Sequence, residues 1–112
     1  MALSLLGITG KRVLGTRDSA RVVVREIAKM PLDDLVLDFS TVAVVTPSFA
    51  DELLADLVRR ITSGALHGVT ITNYPADLPE KLESLLPARS GVQIHESNVG
   101  LELVILPSPT AA

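Results

Sequence analysis

The stretch Leu35-Val36-Leu37-Asp38-Phe39-Ser40-Thr41-Val42-Ala43-Val44-Val45-Thr46-Pro47-Ser48-Phe49-Ala50-Asp51-Glu52-Leu53-Leu54 decides the fold. Leu35 to Phe39 is apolar on both faces, as expected for a buried strand. A short apolar continuation, Val42 to Val45, leads into Thr46-Pro47. Proline favours the first helical position, where its missing N-H would have had no partner and its fixed φ suits the helix, so a helix begins at Pro47 or Ser48. Phe49, Leu53, Leu54, Leu57, Val58 and Ile61 make its apolar stripe, while Asp51, Glu52, Asp56, Arg59 and Arg60 face outward. Acids early and arginines late match the helix dipole, and Gly64 is a natural stop.

Towards the N-terminus, the spacing of Ala20, Val23, Val24 and Ile27 predicts a helix from about Thr16 to Met30, capped by Thr16 or Asp18. Val22-Val23-Val24 alone favours a strand, because three β-branched side chains lose rotamer freedom in a helix. Arg17, Arg21, Arg25 and Lys29 recur every four positions, however, and only a helix gathers them into one band. Ahead of this, Ala2 to Leu6 and Arg12 to Leu14 read as short strands joined by the Gly7 to Gly10 turn, a hairpin-like opening. The apolar start lacks a basic segment and meets Gly10-Lys11-Arg12 too soon for a signal peptide or a membrane span.

Beyond Gly64, Gly68-Val69-Thr70-Ile71-Thr72-Asn73 alternates as a strand, and Tyr74-Pro75 turns. Asp77 with Glu80 resembles a capping box for a helix through Leu82, Leu85 and Leu86, which Pro87 ends. Val92 to His95 and Leu101 to Leu106 read as the last strands, separated by Ser97 to Gly100. Strands alternating with helices imply an α/β domain with a mixed, mostly parallel sheet flanked by helices.

Composition narrows the function classes. With 112 residues there is room for one core. The chain is 47% hydrophobic and 21% charged, within the ordinary globular range. It has two Phe, one Tyr and no Trp, and a net charge of -3, so neither the stacking platforms nor the basic footprint of nucleic-acid binders is present. The absence of cysteine excludes disulfides, thiolate metal sites and cysteine nucleophiles, and leaves the cytoplasm as the default compartment. His67 and His95 have no ligand-spaced neighbour, so no metal or catalytic role is assigned to either. Gly7-Ile8-Thr9-Gly10-Lys11-Arg12 is too short for a phosphate loop, with Arg12 where a hydroxyl is required.

Leu37-Asp38-Phe39 in the strand and Ser48-Phe49-Ala50-Asp51-Glu52 at the helix start resemble the STAS-like domain family of unknown function. Thr16-Arg17-Asp18-Ser19-Ala20 is similar to that family's Ser-Arg-x-x-Ala element. Together these motifs lie between Gly15 and Arg60. The wider likeness is to STAS domains of the anti-sigma-factor-antagonist type, which bind a serine kinase of the histidine-kinase-like ATPase fold. In those domains, phosphorylation of a serine in the turn before the helix switches binding off. Aligning Leu37-Asp38 places Pro47 where that serine usually sits, and Thr46 where its preceding aspartate sits, so Ser48 or Thr46 would have to be the phosphoacceptor. The resemblance implies one STAS-like domain over residues 1–106, with 107–112 as a flexible tail. It also implies a protein partner, an ATPase-type serine kinase or an anti-sigma factor, and no cofactor, nucleic acid or membrane.

The residues themselves place the candidate surface. Ser48 with Asp51 reads as a capping pair, Thr46 is an equal cap candidate, and a phosphate on either hydroxyl would put charge at a helix N-terminus. Asp51 and Glu52 point about 100° apart on a helix, which does not suit paired acid/base work. Parallel strands place successive helix starts at one edge of the sheet, so Arg17 is expected to approach Asp51 or Glu52. Arg17, Pro47, Ser48, Asp51 and Glu52 are therefore the candidate partner-binding residues. The alternatives are a ligand-binding or enzymatic domain using the crevice beside Arg17 and Asp51/Glu52, and a homodimer formed through a sheet edge or apolar helix faces. Tyr74 either anchors an interface or packs over a loop.

Overall fold

The structure, a computed structural model, describes residues 2–30, 34–86 and 91–105. The element order is β1 (Ala2–Ser4), α1 (Leu5–Thr9), β2 (Val13–Leu14), α2 (Arg17–Ala28), β3 (Leu35–Asp38), β4 (Val44–Val45), α3 (Pro47–Thr62), β5 (Val69–Thr72), α4 (Leu78–Leu85), β6 (Val92–Ser97) and β7 (Gly100–Ile105). Pro87, Leu106 and the expected tail at 107–112 lie outside the described residues.

The main sheet has the order β1-β3-β5-β7-β6. β1, β3 and β5 run parallel, while β7 is antiparallel to both β5 and β6, giving the mixed α/β sheet expected. Leu35, Leu37, Val69, Ile71, Leu101 and Leu103 alternate inward and are buried in one cluster with the apolar faces of α2, α3 and α4. Val36, Asp38, Thr70, Thr72, Glu102 and Val104 line the other face and stay half-exposed.

The opening departs from the expected hairpin. Ser4 accepts a hydrogen bond from the Gly7 N-H and Gly10 closes the turn at φ 68°, so Leu5–Thr9 winds into α1 instead. Freed from one another, β1 joins β3 and β2 joins β4 in a separate parallel pair, Val13 opposite Val44 and Leu14 opposite Val45.

α2 forms despite its three valines because Val23 and Ile27 are buried in the core, and Thr16 caps it by accepting from the Ser19 N-H. α3 carries the expected stripe, with Phe49, Leu53, Leu54, Leu57 and Ile61 buried. Asp56 does not face outward as expected: its side chain is only 4% exposed and accepts from Arg59 and from Arg60 Nε at 2.6 Å. Two arginines on the next turn neutralise it, which makes its burial tolerable. The capping box before α4 does not form either. Asp77 lacks the extended backbone of a cap, and its carboxylate accepts from Lys81 Nζ at 2.8 Å.

The tight β6–β7 hairpin depends on Gly100, whose φ is +137° and where an added Cβ would stand 2.2 Å from the Ile71 carbonyl oxygen.

Candidate functional site

The register of the small β2–β4 pair builds the candidate site. Since Leu14 sits opposite Val45, the capping residues that follow, Thr16 and Thr46, emerge side by side, and α2 and α3 start together. Thr46 fastens the two helix starts to each other. Its N-H donates to the Leu14 carbonyl at 3.0 Å, its hydroxyl donates to the Gly15 carbonyl at 3.0 Å, and the same hydroxyl accepts from the Phe49 N-H at 3.3 Å. The cap of α3 is thus Thr46, not Ser48. Ser48 lies in the first turn, exposed, and its hydroxyl has no hydrogen-bond partner among the described residues.

This placement brings Arg17 to both carboxylates. Arg17 Nη1 donates to Asp51 Oδ2 at 2.8 Å and to Glu52 Oε1 at 3.4 Å, and Glu52 also lies 3.8 Å from Arg21 Nε. The bond to Asp51, with Glu52 adding to it, raises the already high Arg17 pKa. Although adjacent helical residues diverge, the long Arg17 side chain lies where both can reach it. The pairs are well exposed, 47% for Arg17 and 45% for Asp51, so water and salt screen them and they add little to stability. Pro47 and Ser48 complete an exposed strip beside the network.

Four participants were not foreseen. Val13 and Val44, directly opposite in the β2–β4 pair, are 54% and 44% exposed and form an apolar spot next to the helix starts. Short apolar runs read as core in a sequence, and nothing in them marks which side faces water. Arg21, read only as one of the basic band that marks the helix, contributes to the network through Glu52 and also bonds Asp18 at 2.6 Å. Lys81, from α4, donates to the Val45 carbonyl at 2.7 Å while held by Asp77, bracing the strand end that leads into Thr46. Thirty-six positions separate Lys81 from Val45, beyond the reach of any local pattern.

The Leu-Asp-Phe motif has a separate job. Leu37 and Phe39 are buried, and Asp38 Oδ1 accepts from the Ser40 N-H at 2.9 Å, the Ser40 hydroxyl at 2.6 Å and Asn73 Nδ2 at 3.0 Å. These bonds tie the end of β3 to the end of β5 and hold the Asp38 carboxyl below its ordinary pKa, the Ser40 hydroxyl contributing most. Phe49 and Ala50 of the second motif are likewise core, leaving Asp51 and Glu52 as its outward half.

A family profile described as a STAS-like domain of unknown function matches residues 19–74, from α2 through β5. The chain belongs to that family. No curated protein and no solved structure matches the chain. In this STAS-like domain the matched segment holds Thr46, Pro47, Ser48, Asp51 and Glu52, whereas Arg17 and Val13 lie just ahead of it.

The remaining candidates are dispersed. His67 and His95 are exposed, His95 in mid-strand on β6, and no group of three or more metal-ligating side chains occurs among the described residues. Tyr74 packs over the core with its hydroxyl 3.1 Å from Glu96 Oε2, and burial, then Glu96, raises its pKa. Among the described residues no helix is long and apolar enough to cross a membrane.

Proposed function

We propose that this STAS-like domain is a non-enzymatic regulatory module that binds a protein partner through the helix-start surface. The observation that supports it is that the paired strands carrying an exposed apolar pair, Val13 and Val44, run directly into the helix starts that carry the polar strip of Arg17, Pro47, Ser48, Asp51 and Glu52. An apolar centre bordered by charges is the usual anatomy of a protein interface. Arg17 is occupied by two carboxylates, which favours recognition over the anchoring of an anionic substrate. The partner that the family likeness suggests is an ATPase-type serine kinase or an anti-sigma factor in a partner-switching system. Of the two hydroxyls near the helix start, Ser48 is the one whose oxygen is free for modification, since that of Thr46 is committed to Gly15 and Phe49. A phosphate there would add nearly two negative charges beside Asp51 and Glu52.

The test is affinity capture from the source organism followed by calorimetry with the purified partner. An ATP-binding kinase or anti-sigma factor is expected, and Val44→Glu and Asp51→Lys should each weaken it at least about tenfold, as interface-centre and rim-charge changes do. A captured protein of that class that binds both variants as tightly as the parent, or no captured ATPase or anti-sigma factor at all, would sink the proposal.

A further inference from the structure

The groove between α4 and the far half of β6 lies apart from the helix-start surface, and of the contacts above only that of the Tyr74 hydroxyl with Glu96 touches it. Ile94, with the buried Leu101 beneath it, forms its apolar floor, Pro79, Glu80 and Glu83 of α4 one wall, and Glu96 of β6 the other, around an open space of about 530 Å³. Three features coincide there. β6 is an outer strand of the main sheet, and at residues 94–97 it pairs only with β7 among the described residues. An unpaired strand edge is a template for another strand. The floor is apolar, with Ile94 half-exposed and in contact with the core. The rim is acidic: among the described residues no lysine or arginine comes within 4.0 Å of Glu80, Glu83 or Glu96, since Lys81 on the same helix turns to Asp77 and Val45.

The charges choose the occupant. A second copy paired through β6 would bring two sets of these glutamates together, and facing like charges destabilise a strand pair. A segment carrying lysine or arginine gains from the same rim. We propose that this groove is a second docking surface, which takes an extended basic segment of another protein as a strand added to residues 94–97 of β6. An apolar side chain of that segment rests on Ile94, and cations two positions away on the same face lie between Glu80 and Glu83 on one side and Glu96 on the other.

A fluorescein-labelled octapeptide in which lysine and valine take turns at every second position, with threonine between them so that lysine and valine share the face towards α4, is the probe, read by anisotropy and by amide chemical shifts of the full chain. Saturable binding is expected, with the largest shifts in α4 and residues 94–97. Glu80→Gln with Glu83→Gln should weaken it roughly fivefold, the sum expected of two exposed ion pairs. Glu102→Gln, on the opposite face of the sheet, should leave it unchanged. A peptide N-methylated at alternate residues keeps its charge but cannot donate to the strand edge, and should bind at least about tenfold more weakly. The proposal is overturned by absence of saturable binding, by shifts centred elsewhere, by equal binding of the N-methylated peptide, or by Glu102→Gln weakening binding as much as the double change.

Discussion

Thr46→Val is the sharpest perturbation of the helix-start surface, because valine keeps the shape of threonine and removes only its hydroxyl. Two bonds go with it: the cap to the Phe49 N-H at 3.3 Å and the cross-link to the Gly15 carbonyl at 3.0 Å. Loss of an N-cap costs ~1 kcal/mol. Gly15 is half-buried, so its carbonyl recovers part of its bonding from water, and its loss adds about 0.5 kcal/mol. The total, about 1.5 kcal/mol, should lower the melting temperature by roughly 6 °C in a domain of this size. Urea unfolding followed by circular dichroism measures it. Thr46→Ser, which keeps the oxygen, should recover most of the loss, and Ser48→Ala should stay within about 0.5 kcal/mol of the parent. If Ser48→Ala costs as much as Thr46→Val, the cap has been assigned to the wrong hydroxyl and Ser48 is not free for a partner or a phosphate.

Two further outcomes are expected. Gly100→Ala should cost at least about 3 kcal/mol, since backbone at Ile71 must move, whereas Gly64→Ala, at φ +85° with open space around it, should cost only about 1 kcal/mol. Equal urea midpoints for the two variants would contradict the hairpin geometry. The Asp38 carboxyl is held below its ordinary value of 3.8, so its ionised form stabilises the fold. That contribution is fully present above the unfolded pKa and is lost as pH falls through the lower native one. The midpoint difference between the parent and Asp38→Asn should therefore be constant above about pH 5 and shrink below it. A difference that persists unchanged into strong acid would refute the linkage.

The central elements are legible in the sequence because their signals are local. Pro47 and the stripe from Phe49 to Ile61 define α3, and the alternation in β5 and the apolar run in β3 need no tertiary knowledge. The approach of Arg17 to Asp51 and Glu52 is legible for a more general reason, that parallel strands start their helices at one edge, although the strands responsible are the minor pair β2–β4. The opening reads wrongly as a hairpin because an apolar pentapeptide has no period long enough to separate strand from helix, and the Ser4 cap and Gly10 stop decide it. Asp56 reads wrongly as outward-facing because helical spacing gives an angle, not a depth. Its neighbours Arg59 and Arg60 satisfy it wherever it lies. Lys81 and the Val13–Val44 spot depend on contacts across the chain, which no window of sequence contains.

The two groups of ion pairs on α3 differ in a way that bears on their use. Asp56 is buried, so removing its arginines would strand a charge away from water, and that cluster serves the fold. The side chains of Arg17 and Asp51 are exposed and that of Glu52 is half-buried, so each reaches water without the others and opening their network costs the domain little. A partner offering its own cation to Asp51 and Glu52, or its own carboxylate to Arg17, could therefore exchange into the network without unfolding anything around it. The neighbouring Val13 and Val44 gain from being covered whichever exchange occurs. Under the proposed function, the helix-start surface would combine an apolar patch that favours association with charges re-paired at small cost, and that re-pairing would let charge select the partner and a phosphate at Ser48 oppose it.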